Sequence, residues 1–183
     1  NGNPINAHPL TVTEANVLAK ALNTEQEKNQ DFLKSNGILP TNILYINPNA
    51  DKGTVLWYTK GQQRQLYFVD GLQIPNGKTY VPPMIWKATK NGLSVFALMG
   101  DRRPNEKTKL YHAPFFNIYE DARVCMGTVS VDIKKSASVE DFVQAWEHYF
   151  FNSYFSHLLH NHSPIKGNCV SLWNDLINTD KPF

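Results

Sequence analysis

The chain has 183 residues, 42% of them hydrophobic, and its 18 lysine and arginine residues barely outnumber its 16 aspartate and glutamate residues. This length fits one domain that can bury a full apolar core. A net charge of +2 argues against the strong electrostatic attraction that holds proteins on nucleic acids or membrane surfaces. No apolar run in the sequence approaches the roughly 20 residues that span a bilayer.

The start of the chain and its cysteines set further expectations. The sequence opens Asn1-Gly2-Asn3 without an initiator methionine, so we expect an N-terminally trimmed single domain over residues 1–183. The cysteines are Cys125 and Cys169, which are too few for a disulfide scaffold. We expect both to be free thiols in a reducing cytoplasm, with one disulfide between them as the alternative.

A short strand is predicted at residues 5–10, and helical patterns then follow as far as residue 37. Thr13 is the expected N-cap of the first helix. A second, short helix is expected at Phe32 and Leu33, ending at Gly37. The predicted apolar face of the first helix carries Val17, Leu18, Ala21 and Leu22.

Short runs of β-branched and aromatic residues then predict a meander of antiparallel hairpins. Pro82 and Pro83 must interrupt it, because proline cannot donate a hydrogen bond within a sheet. Asn91-Gly92 between two apolar runs predicts a tight hairpin turn. The predicted strands cover residues 43–46, 54–58, 65–69, 84–88 and 93–98.

Two further helices are expected near the C-terminus. Ser138 is the predicted N-cap of a long helix, and Asp141 in its first turn suits the helix dipole. Apolar positions at three- and four-residue spacing continue this helix to Leu158. Gly167 separates it from a last helix over residues 170–177. Helices that are segregated from an antiparallel sheet define an α+β fold.

An irregular apolar segment, residues 110–131, contains Cys125 and Gly127 and is a typical setting for a site. Asn117 lies eight residues before Cys125 and reaches the same pocket if the segment doubles back. An asparagine amide can donate to the oxyanion of an acyl-transfer intermediate. Two alternatives stay open: Cys125 as a small buried hydrophobe, and Asn117 as a turn residue that bonds its own backbone.

The spacing of Asn117 and Cys125 resembles the His-Pro-Asn…Cys segment of ubiquitin-conjugating enzymes. More closely, the chain resembles the protein B family of the PRTRC system, which is family D of the prokaryotic ubiquitin-conjugating-enzyme-like proteins. The features that carry this resemblance are Leu93–Leu98, Arg103-Pro104, Ala113–Asn117, Val124–Thr128, Ala145–Glu147 and Phe155–His157.

The resemblance implies a ubiquitin-conjugating-enzyme-like fold and thioester chemistry. It implies that Cys125 accepts the C-terminal glycine of a ubiquitin-like protein from a ThiF-like activating enzyme. Asn117 is then the oxyanion donor or the amide that orders the loop. His157 matches a family histidine and is the candidate base, with a histidine at the edge of the core as the alternative. No cofactor is implied, because the activating enzyme uses the ATP, and neither nucleic acid nor membrane is an expected partner.

A non-catalytic adaptor with the same fold, within a cassette carried by a plasmid or mobile element, is the alternative function. It is favoured by Phe115-Phe116, which replace the His-Pro of eukaryotic enzymes, and by the lack of an obvious acidic residue after Cys125. Aromatic packing is then expected to hold the loop. An accessible Cys125 beside Asn117 favours the carrier, whereas a thiol sealed under both phenylalanines favours the adaptor.

Two other clusters have ordinary interpretations. One is a set of possible zinc ligands whose spacing matches no strong zinc signature, so no metal is expected. Its members are His157, His160, His162 and Cys169. The other is a basic loop, which is either a solvated turn or a docking patch for an acidic protein. Its members are Arg102, Arg103, Lys107 and Lys109.

Overall fold

The computed structural model describes residues 11–30, 32–49, 52–127, 129, 131–134, 136–159 and 163–183. Within these ranges the helices are α1 (Val12–Gln30), α2 (Val139–Phe151) and α3 (Cys169–Leu176). The strands are β1 (Ile43–Asn47), β2 (Thr54–Thr59), β3 (Gln62–Phe68), β4 (Gly77–Val81), β5 (Met84–Thr89), β6 (Leu93–Ala97), β7 (Tyr111–His112) and β8 (Tyr154–Phe155). The strand predicted at residues 5–10 lies outside the described residues. Among the described helices, none has the length and apolar character needed to cross a membrane.

The strands form two sheets, and the predicted α+β class with antiparallel pairing is confirmed. The larger sheet has the order β1-β2-β5-β6-β7, and the smaller one has the order β4-β3-β8. The expected consecutive pairing of β2 with β3 is wrong, because β5 returns to pair with β2 instead. This register sets Trp57 opposite Trp86, and the two buried indoles stack with centroids 5.8 Å apart.

Two turn predictions are confirmed. Pro82 and Pro83 separate β4 from β5, which belong to different sheets. Asn91-Gly92 closes the β5–β6 hairpin, where the Thr89 N–H donates to the Gly92 carbonyl at 2.9 Å. Both signals act within a few residues, so the sequence alone suffices to place these breaks.

The first helix begins earlier than predicted. Thr11, not Thr13, is its cap: the Thr11 hydroxyl accepts from the Glu14 N–H at 3.2 Å, while the Glu14 carboxylate accepts from the Thr11 N–H at 2.9 Å. This reciprocal arrangement is a capping box. Val17 and Leu18 are 64% and 48% exposed, so this part of the predicted apolar face does not pack on the core. The side chain of Leu22 lies outside the described part.

Phe32 and Leu33 form a turn and not the predicted second helix. Leu33 has a φ of 61°, a left-handed conformation that cannot continue a right-handed helix. Both side chains are buried, and Phe32 contacts Phe142 edge-on. Burial of the two side chains outweighs the local helical signal at this point.

The second helix begins as predicted and ends early. The Ser138 hydroxyl accepts from the Asp141 N–H at 3.1 Å, which confirms the cap. The predicted continuation to Leu158 is wrong, because the helix stops at Asn152, whose backbone and side-chain N–H groups both donate to the His148 carbonyl. The next residues form β8, which pairs in parallel with β3. The predicted last helix is confirmed as α3.

Aromatic side chains dominate the core where it meets the segment before Asn117. Phe115 is 1% exposed and packs against Phe150, Phe155 and Trp173, with centroid separations of 5.2, 5.4 and 5.1 Å. Phe116 is equally buried. The expectation that aromatic packing holds this loop is therefore confirmed, and the packing fixes where the next residues emerge from the core.

Candidate functional site

The segment from Asn117 to Cys125 is a tight hairpin. The Cys125 N–H donates to the Asn117 carbonyl at 2.7 Å, and the Tyr119 N–H donates to the Arg123 carbonyl at 2.8 Å. Ala122 closes the turn with a φ of 66° and donates its N–H to the Tyr119 carbonyl. The segment thus doubles back as expected, and the eight-residue spacing is the length of the hairpin.

The hairpin is anchored to the larger sheet along β6. The Val95 N–H donates to the Ala122 carbonyl at 3.0 Å, and the Val124 N–H donates to the Leu93 carbonyl at 2.8 Å. Ile118 is 2% exposed and belongs to the core. One face of the hairpin therefore packs inward, which leaves alternate residues on the opposite face.

Asn117 ties this hairpin to the chain that follows α2. Its Nδ2 donates to the Tyr154 carbonyl at 2.8 Å. Its Oδ1 accepts from the Ser156 N–H at 3.0 Å, the Ser156 hydroxyl at 2.7 Å and the His157 N–H at 3.3 Å. Its own N–H donates to the His157 carbonyl at 2.9 Å. The side chain thus bonds residues 37 to 40 positions away, and not the local backbone of a simple turn.

The hydrogen bonds of Ser156 indicate which tautomer of His157 is favoured. The Ser156 hydroxyl donates its single proton to the Asn117 Oδ1, so it can only accept from the His157 Nδ1, which lies 2.8 Å away. In the neutral ring the lone pair is then on Nε2. His157 is exposed, so that nitrogen is the basic atom the side chain offers to solvent or a reactant.

A cavity of about 360 Å³ lies beside the hairpin and brings the predicted site residues together. Cys125 is half-buried and forms part of its wall. Phe115 and Phe116 lie in the core and are not part of this lining. The lining includes Asn117, Cys125, Met126, Tyr149, Tyr154 and His157.

Tyr119 is a neighbour of Cys125 that the sequence reasoning missed. The neighbouring side chain of Cys125 raises the pKa of Tyr119 above its ordinary value. The Arg123 guanidinium lies 5.5 Å from the Tyr119 ring centroid. Arg123 in turn pairs with Asp121 at 2.5 Å, and this contact holds the pKa of the Asp121 carboxyl below its ordinary value. The alternation of residues along a hairpin is the signal that could have found Tyr119.

Cys169 has a different environment and does not join the site. It is 2% exposed, and its thiol lies 3.5 Å from the Pro114 carbonyl. Burial raises the pKa of Cys169 to about 12, so the thiol form persists at neutral pH. Both cysteines are free, as expected.

The other two clusters have structural explanations where they are described. His160 and His162 lie outside the described residues, and the described part holds no group of three or more side chains able to bind a metal ion. In the basic loop, Arg103 donates to the Thr41 carbonyl and, at 3.0 Å, to the Ile43 carbonyl. Arg103 therefore fastens the start of β1 to the loop.

A sequence model for prokaryotic E2 family D matches residues 15–183. No curated protein and no solved structure matches the chain. The matched range includes the hairpin, α2 and every residue that lines the cavity.

Proposed function

The chain belongs to prokaryotic E2 family D, and we propose that it is a ubiquitin-conjugating-like carrier that holds a ubiquitin-like protein as a thioester on Cys125. The ubiquitin-like protein would arrive from a ThiF-like activating enzyme. The observation that carries this proposal is that the half-buried Cys125 lies at the wall of a cavity, with its backbone N–H donating to the Asn117 carbonyl at 2.7 Å. The alternative, a non-catalytic adaptor, would suit a sealed thiol better.

The proposed step is an exchange of one thioester for another. The Cys125 sulfur, as thiolate, attacks the thioester carbonyl carbon of the ubiquitin-like protein. A new bond forms between that carbon and the Cys125 sulfur, and the bond to the activating enzyme's sulfur breaks. The proton lost by Cys125 returns to the departing thiolate. No cofactor enters this step.

Asn117 and His157 would support Cys125 in different ways. Asn117 orders the loop, because the contacts of its amide hold residues 154–157 against the hairpin. His157 would serve as base through Nε2 when an amine attacks the thioester, since its Nδ1 is occupied by Ser156.

A thioester assay tests the proposal. The protein is incubated with ATP, the ThiF-like activating enzyme and a ubiquitin-like protein from the same gene neighbourhood, then run on a non-reducing gel. We expect a mass shift that reductant removes, that Cys125→Ala eliminates and that Cys169→Ala retains. Cys169→Ala is the matched control, because it removes the other thiol of the chain. No shift from an activating enzyme that is itself charged would favour the adaptor.

A further inference from the structure

A second cavity, of about 620 Å³, lies at the loop between β6 and β7. It shares no lining residue with the cavity beside Cys125. Leu98 lines it and is 6% exposed, because it packs with Tyr58 and Ile85 on the larger sheet. The cavity is therefore built on the sheet and is separate from the candidate site.

Apolar side chains lie exposed along this loop. Met99 is 83% exposed and Tyr111 is 43% exposed, and both line the cavity. Leu110, directly before Tyr111, is 46% exposed. One exposed apolar side chain is ordinary, whereas several together mark an interaction site. Methionine and tyrosine are also among the residues that protein interfaces favour.

The same lining has an excess of positive charge. Arg102, Arg103 and Lys109 belong to it, with Asp101 as the single carboxylate. The Asp101 Oδ1 accepts from the Gly61 N–H at 2.7 Å, so this carboxylate is occupied by the backbone. Arg103 donates to backbone carbonyls, which do not neutralise its charge. Arg102 and Lys109 form no ion pair with any carboxylate that the structure describes.

Contacts within the loop hold these side chains on an ordered backbone. Pro104 is buried, and Arg103 next to it is bonded to the start of β1. The Asn105 N–H donates to the Thr108 hydroxyl at 2.8 Å, and the Lys107 N–H donates to the Asn105 Oδ1 at 2.9 Å. A surface that is ordered before a partner arrives loses less conformational entropy on binding.

We propose that this loop is a docking surface for an acidic segment of a partner protein, whose carboxylates pair with Arg102 and Lys109 and whose apolar side chain covers Met99. Carboxylates match the cations in charge, and an apolar side chain matches the exposed thioether. A nucleic-acid phosphate backbone matches the cations alone and leaves Met99 in water. Since the surface shares no residue with the candidate site, this function goes beyond the carrier proposal.

The test is fluorescence anisotropy with the full chain and a short labelled peptide, in which a Leu-Phe pair lies between aspartates and glutamates. We expect saturable binding to the wild type. The double variant Arg102→Glu, Lys109→Glu should bind about tenfold more weakly, because it replaces two attractions with two repulsions. Met99→Ser should bind about threefold more weakly, because it removes apolar contact area. All three positions are exposed, and thermal unfolding checks that the variants fold.

The double variant Lys166→Glu, Lys181→Glu is the matched control, because it makes the same change in net charge at exposed positions outside the cavity. It should bind the peptide as the wild type does. A peptide with Ser-Ser in place of Leu-Phe should bind more weakly to the wild type. Carbodiimide coupling, mapped by mass spectrometry, should join the peptide carboxylates to Lys107 or Lys109 and not to Lys166 or Lys181.

Absence of saturable binding would overturn the proposal. So would equal weakening in the two charge-reversal variants, because the peptide would then respond to net charge alone. Equal affinity for the Leu-Phe and Ser-Ser peptides would remove the role of Met99, and tighter binding of single-stranded DNA of equal charge would identify a nucleic-acid surface instead. None of these measurements uses the activating enzyme or the ubiquitin-like protein, so a failed thioester assay leaves their outcome unchanged.

Discussion

Asn117→Ala is expected to lower the free energy of unfolding by about 2–4 kcal/mol and to abolish thioester formation at Cys125. Asn117 has a φ of 59°, a conformation that asparagine tolerates and alanine does not. The substitution also removes four side-chain hydrogen bonds, three of them accepted by Oδ1. Without them the chain after β8 loses its attachment to the hairpin, and the residues that line the cavity opposite Cys125 are no longer held in place.

Urea unfolding and the thioester assay together measure this effect. Asn117→Gly separates its two causes, because glycine restores the backbone conformation but not the hydrogen bonds. Asn178→Ala is the matched control, since Asn178 also has a φ of 59° but bonds Lys78 in β4, away from the cavity. Asn178→Ala should lose stability and still form the thioester. Full thioester formation by folded Asn117→Ala would contradict the role given to the amide.

The second large effect is expected at Glu147, which joins α2 to both sheets. Its Oε1 accepts from the Trp57 indole N–H at 3.1 Å, and its Oε2 accepts from the Arg64 guanidinium at 2.6 Å. Trp57 is fully buried in β2, and the Glu147 side chain is 15% exposed. Glu147→Ala leaves the indole N–H without its acceptor and Arg64 without its counter-ion. We expect a loss of about 2–4 kcal/mol in the free energy of unfolding, measured in urea.

The pH dependence of this site has a definite sign. Burial raises the pKa of Glu147, opposed by the Trp57 hydrogen bond and by the charge of Arg64. The folded protein therefore binds the Glu147 proton more tightly than the unfolded chain does. The stability that this group contributes is fully present below the pKa of Glu147 in the unfolded chain, which is near 4.5. It is lost as pH rises through the higher pKa of Glu147 in the folded protein. The difference in stability between wild type and Glu147→Gln should shrink as pH rises from 4 to 8.

Glu140 on the same helix provides the matched control. Its hydrogen bond with Ser35 lowers the pKa of Glu140, so its contribution is present above about pH 4.5 and is lost as pH falls. The difference between wild type and Glu140→Gln should therefore grow as pH rises from 4 to 6. If the difference in the free energy of unfolding between wild type and variant changed with pH in the same direction for both variants, burial would not be what makes Glu147 costly to ionise.

Local signals predicted much of the fold, and contacts between distant segments explain where they failed. Ser138 and the Asn91-Gly92 turn act within four residues, so each could be identified in the sequence. The pairing of β2 with β5 depends on stacking Trp57 against Trp86, which lie 29 positions apart. The early end of α2 depends on the parallel pairing of β8 with β3. Neither is visible in a short window of sequence.

The candidate site likewise combines features that local sequence signals predict with contacts between distant segments that they do not. The spacing of Asn117 and Cys125 indicated the hairpin, because a chain that doubles back brings its ends together. The bonds from Asn117 to Tyr154 and Ser156 could not be predicted, since they join segments 37 to 39 positions apart. Tyr119 was within reach of the sequence, because alternation along the hairpin places it on the face of Cys125, but this needs the register of the pairing first.

The most direct test of the carrier proposal is ester trapping on Cys125→Ser, with the activating enzyme, the ubiquitin-like protein and ATP. A serine hydroxyl at position 125 can accept the same acyl group, and the resulting oxygen ester survives reductant, whereas a thioester does not. The proposal predicts an adduct that resists reductant, is cleaved by hydroxide and maps to residue 125 by mass spectrometry. An adduct that maps only to a lysine, or no adduct while the activating enzyme is charged, would contradict Cys125 as the acceptor.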